Sequence, residues 1–164
     1  MIGERVLEPI DRVSEVIFGV LMAMTFIGAM NVAEAGQGEV RKTLIAALGC
    51  NVAWGLTDGI MYVVAILTER TRERSTPRLT FADFRGALAI FLLVTASTFP
   101  LVVPFMLFRE ISPALLASRL VALALLFLGG WALARHSGGN RWLAGTGMAA
   151  VGALLVGALL ALGG

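Results

Sequence analysis

The chain has 164 residues, 58% of them hydrophobic and 15% charged, and its mean hydropathy is +0.86. Soluble domains carry charge on about a quarter of their residues, so this composition excludes one. The net charge of +2 follows the placement of basic residues between apolar runs, which reads as membrane topology and not as a nucleic-acid surface.

Five runs are long enough to cross a bilayer, which takes about 18 residues or more. They are unbroken and do not alternate, and a helix satisfies its own backbone in lipid, so the expectation is an all-α, polytopic bundle of five transmembrane helices forming a single domain. The first predicted span covers 16–33. A charged leader (Glu4, Arg5, Glu8, Asp11 and Arg12) precedes it without a small-residue cleavage site, so it reads as a span and not a signal peptide. Glu15 and Met22 stand seven residues apart on one helical face, pointing a carboxylate and a thioether the same way. Carboxylate oxygen suits hard or borderline divalent ions and thioether sulfur adds softness, although methionine is also a common core filler. Glu34 follows beyond this span, where it can take an ion or proton.

The second predicted span, 43–68, places Asp58 near its middle. An acid at that depth costs on the order of 2.5–3.5 kcal/mol and usually faces a bundle interior on an ion or proton path. The alternative is a structural carboxyl paired with Asn51 or Tyr62, which fall on the same face. Cys50, the one cysteine, reads as a small buried residue and excludes a disulfide within the chain. Residues 69–85 form a short basic loop, expected to be solvated near anionic lipid.

The third predicted span, 86–108, is preceded by a capping-box-like start at Thr80 to Asp83 and contains Pro100 and Pro104. Ser112-Pro113 reads as the cap of the fourth, 114–134, with Arg119 about a turn inside and able to snorkel to the surface. The fifth, 142–162, is rich in glycine and alanine at spacings that favour close helix packing in lipid.

With a cytoplasmic N-terminus, that side holds Arg5, Arg12, Arg70, Arg72, Arg74, Arg78, Arg85, Arg135 and Arg141. Only Arg41, Lys42, Arg109 and Arg119 then lie opposite, which favours N-terminus in and C-terminus out. His136 is the one histidine and sits beside Arg135, so neither a metal finger nor a Ser/His/Asp set can be assembled. No enzymatic activity and no permanently bound cofactor are expected.

Glu15 to Gly19 (Glu-Val-Ile-Phe-Gly) resembles the start of the first helix in the vacuolar iron transporter family, divalent-metal/proton antiporters with bacterial relatives. The spaced Pro100 and Pro104 are similar to that family's third helix, and the pattern of the last two spans is similar as well. Where the family's first helix continues with a metal-binding Asp-Gly pair, this chain has Met22-Ala23. Where the second helix carries Ser-Met, it has Thr57-Asp58. Acid and thioether are thus exchanged between helices. The glutamate-rich domain that iron-storing members insert between helices two and three is replaced by the arginine-rich 69–85 loop.

The resemblance implies a homodimeric carrier in the bacterial inner (plasma) membrane, moving Fe²⁺ or Mn²⁺ in exchange for protons. The divalent metal is then substrate, held by Asp58, Met22 and Glu15, with Glu34 and Asn51 on the ion or proton path. Gly19 and Ala23 would allow close contact between the two copies. The competing expectation is a non-transporting membrane protein, an accessory subunit of a larger membrane complex, with no nucleic-acid partner in either case.

Overall fold

The computed structural model describes residues 8–29, 37–72 and 78–162, and all regular structure among them is helical. The elements are α1 (Pro9–Gly28), α2 (Gln37–Arg72), α3 (Phe81–Ala96), α4 (Phe99–Leu107), α5 (Ile111–Ser137) and α6 (Arg141–Ala161). Four stretches are long and apolar enough to cross a membrane: most of α2, α3 with α4, α5, and α6. α1 has 20 residues, about 30 Å of helix, but carries Asp11, Arg12 and Glu15 in its first two turns. The chain is therefore an all-α polytopic membrane bundle.

Several boundaries differ from the sequence reading, each for a local reason. α1 begins at Pro9 instead of residue 16, because Glu8 and Asp11 form a reciprocal capping box and proline suits the first helical position. The 69–85 loop is shortened from both ends. α2 continues to Arg72, and α3 starts at Phe81 behind the expected Thr80–Asp83 capping box. Arg70 ties the two ends together, donating to both carboxylate oxygens of Asp83 at 2.8 and 2.9 Å and to the Arg78 carbonyl. Ser112-Pro113 does not cap α5. Glu110 takes that place, and Pro113 lies in the first turn, where its missing N–H costs no helical bond. Gly138, at φ 77°, closes α5, and the Asn140 side chain accepts from Trp142 N and Leu143 N to open α6.

The largest difference is in the third span, which is two helices. Pro100 has no N–H for the Ala96 carbonyl, and Pro104 has none for that of Pro100. The helix breaks at Ser97-Thr98, and side-chain hydroxyls bond carbonyls on either side of the break. Ser97 Oγ donates to Val94 O at 2.6 Å, and Ser118 Oγ of α5 donates to Leu101 O at 2.8 Å.

α1 stands at the centre of the bundle, packed against α2, α3, α5 and α6 and touching α4. Its Val20, Met24 and Ile27 meet Leu101 of α4 and Leu115 and Leu126 of α5 in the core. The ring around α1 runs α2, α3 with α4, α5, α6. α2–α3 and α5–α6 are its most extensive contacts, and α2 and α6 share little if any. There α1 turns Phe18 outward, 57% exposed, along the same stripe as the half-buried Glu15 and Met22.

Candidate functional site

Two polar side chains among the described residues are 0% exposed, Asn51 near the middle of α2 and Thr98 at the break between α3 and α4. The Asn51 amide nitrogen donates to Gly19 O of α1 at 3.0 Å and to Thr98 Oγ1 at 2.6 Å, with a longer contact of 3.4 Å to Val94 O of α3. One side chain thus joins α1, α2 and the break between α3 and α4. Its Oδ1 has no partner among the described residues. The opposite amide orientation would set Oδ1 against the carbonyl of Gly19, so the nitrogen belongs where it is. Gly19 is required by the approach of α3: a methyl group there would overlap Ser97 Oγ and lie 2.8 Å from Val94 O.

This contact fixes the register between α1 and α2. Gly19 is level with Asn51, while Phe26 and Ala29 share a small cavity with Lys42, Thr43 and Ala46, so the helices run antiparallel. Glu15 and Asp58 then both lie toward the arginine-rich end of the bundle. The register sets their levels about 5 Å apart along the axis, close enough for the Asp58 and Asp11 charges to act on Glu15. Both carboxylates are half-buried. Met22 lies on the other side of the Asn51 level, about 15 Å along the axis from Asp58 at about 1.5 Å per residue.

Of the residues singled out in the sequence, the fold therefore joins Glu15 to Asp58 and separates Met22 from Asp58. Asn51 sits between them in depth. Glu34 lies outside the described residues. Gly19 and Ala23 are buried inside the chain, Ala23 at 0% exposure, so their small size serves packing within one copy. Arg119 points to α1, its Nη2 donating to Gly28 O at 3.4 Å, where a cation meets the negative end of the helix dipole. Among the described residues no three acid, histidine or cysteine side chains converge as a metal site.

Sequence reasoning missed Ser97 and Thr98, which complete the polar node. A signal for them exists: two hydroxyl residues stand just before Pro100 in an apolar run, where a proline frees a carbonyl that a hydroxyl or amide can satisfy. Comparison with protein-family models, with curated proteins and with solved structures gave no match.

Proposed function

We propose that the protein is a membrane carrier that moves a divalent metal cation, Fe²⁺ or Mn²⁺, in exchange for protons, with Glu15 and Asp58 as its ion-binding pair. One observation carries the reading: the register between α1 and α2 brings two half-buried carboxylates on different helices to nearly the same depth in a membrane bundle. Such a pair is costly while both are charged and uncompensated. A divalent cation relieves the repulsion, and so does protonation. The two compete for the same oxygens, which couples the fluxes: an ion entering displaces the carboxyl protons, and protons returning expel the ion.

Two carboxylates do not complete the shell of a hard cation, which takes about six oxygens, so water and a second copy of the chain supply the remainder. The open side of α1 favours the homodimer, since Glu15, Phe18 and Met22 face outward there between α2 and α6. Met22 then lines the path beyond the pair and is not a ligand beside Asp58. The described cations Arg12, Arg70, Arg72, Arg78, Arg85, Arg135 and Arg141 gather at the Glu15–Asp58 end, which we assign to the cytoplasm of a bacterial inner membrane.

The test is Mn²⁺ uptake into proteoliposomes under an imposed pH gradient. The parent protein is expected to take up Mn²⁺ and dissipate the gradient. Asp58→Asn and Glu15→Gln, both nearly isosteric, are expected to fold normally and fall to the level of protein-free vesicles. Parent-level uptake by both variants, or none by the parent, defeats the proposal.

A further inference from the structure

At the end of the bundle away from the carboxylate pair, α2 and α4 diverge and leave a cleft of about 340 Å³. Its walls are apolar, with Leu44 and Leu48 on α2 facing Val102 and Met106 on α4. From Val40 to Leu48 it runs about 12 Å along α2. The inner end is Thr98, whose hydroxyl already accepts from Asn51. Ordered water is a poor filling, because each molecule needs 2–4 polar partners and, Arg41 and Thr98 apart, the lining side chains are apolar. A metal ion is poorer still, because Arg41 lines the cleft.

Arg41 is exposed, as is Arg109, two residues beyond the end of α4 at the same end of the bundle. Neither has a hydrogen-bond or ion-pair partner among the described residues. An apolar slot in lipid with the Arg41 guanidinium on its lining, and Arg109 following α4 at the same end of the bundle, has the charge and shape of one class of ligand. The guanidinium fork matches phosphate oxygens, and the walls match a hydrocarbon chain.

We propose that the cleft between α2 and α4 seats one anionic phospholipid. Arg41 and Arg109 hold its phosphate, and one acyl chain lies along Leu44, Leu48 and Val102 as far as Thr98. Its distance from Glu15 and Asp58 makes the seat independent of the transport reading.

The experiment is native mass spectrometry of the purified, delipidated full chain titrated with phosphatidylglycerol, phosphatidylcholine or glycerol phosphate. Retention of one phosphatidylglycerol, with weaker retention of phosphatidylcholine and none of glycerol phosphate, is expected. The double variant Arg41→Gln with Arg109→Gln should weaken phosphatidylglycerol binding by about thirtyfold, the equivalent of about 2 kcal/mol. Leu44→Trp, which keeps both arginines and fills the slot, should weaken it comparably. Equal retention of the two lipids, or full retention by either variant, overturns the proposal. Glycerol phosphate binding as tightly as the lipid overturns it in favour of a soluble phosphate ligand.

Discussion

The two halves of α2 meet their neighbours in different ways. From Gly55 onward two glycines bring the helix backbone close to that of α3, with an apolar groove of about 480 Å³ alongside the contact. A methyl group at Gly55 would sit 3.0 Å from Phe91 O, and one at Gly59 would sit 3.0 Å from Ala87 O. The Arg70–Asp83 pair closes that end. From Val40 to Leu48 the same helix stands off from α4 across a cleft. Both halves are rich in leucine, isoleucine, valine and alanine, so hydrophobicity does not make the difference. In lipid, apolar surface gains little by leaving the solvent, and close approach, hydrogen bonds and paired charges decide which helices touch. Gly55, Gly59 and Arg70 are on the closed half, where Arg70 meets Asp83 of α3, Leu44 and Leu48 line the open half, and Asn51 lies between them.

The contrast breaks most severely if the close approach is blocked. Gly55→Leu would drive a branched side chain into Phe91 O, Phe91 Cα and Val94 Cβ, all within 3.3 Å of the added Cβ. Overpacking of this kind costs about 3 kcal/mol, and the obstacle here is largely backbone, which cannot swing aside. Unfolding in detergent should register that loss, and Gly59→Leu should behave similarly. Unchanged stability for both would mean that α3 does not lie on this stripe.

Asn51→Leu comes next. It keeps the branching, with bulkier ends, but removes the donor to Gly19 O and Thr98 Oγ1 and also deletes the unpartnered Oδ1, so gain and loss partly offset. A net cost of about 1–2 kcal/mol is expected. The more specific readout is amide exchange at Leu101 and Val102, whose N–H groups bond Thr98 O. Exchange there should quicken more than in α6. If it quickens equally throughout, Asn51 supports the whole bundle and not the break.

Arg70→Gln is a smaller change. The pair with Asp83 is bidentate, but the arginine side chain is 27% exposed and salt screens it, so about 1 kcal/mol is expected. A double-mutant cycle with Asp83→Asn should return a coupling of the same order that shrinks in about 1 M salt. Zero coupling at low salt would remove the pair from the account of the closed half.

These features were unevenly legible in the sequence. Four helical spans follow from apolar length alone, because a long apolar run has no other stable form in lipid. The break at Ser97-Thr98 was hidden although Pro100 and Pro104 were in view. Whether a proline bends or breaks a helix depends on its surroundings, and the side chains that bond the backbone on either side of this break include Asn51 and Ser118, which lie on different helices. The same holds for the site. Spacing within α1 and within α2 gave each residue its face, but the offset between the helices is set by the Asn51–Gly19 contact. No pattern along either helix encodes that offset, which is why the sequence sets Asp58 opposite Met22 when the register puts its level nearer that of Glu15. Gly19 was read as a surface for a second copy for a related reason: a small residue announces close approach without naming what approaches.

The smallest effect is the most informative control, because it tests the open half by a substitution that should do no harm. Gly49 lies on α2 two residues before Asn51, is exposed, and has nothing within 4 Å of the position its Cβ would take. Within one copy, then, Gly49→Ala meets no obstacle. Alanine restricts the unfolded backbone and favours helix, so stability should rise by up to about 1 kcal/mol. The same methyl group at Gly55 would press on the carbonyl of Phe91 and should cost stability, so the pair of variants has opposite signs on one helix. Thermal midpoints of both, measured in one detergent at two protein concentrations, give the comparison. A loss at Gly49 that deepens with dilution of neither variant would place an unseen neighbour from the same chain against it. A loss that appears only at the concentration where the protein self-associates would place a second copy there instead, and α2 would then be held along its whole length.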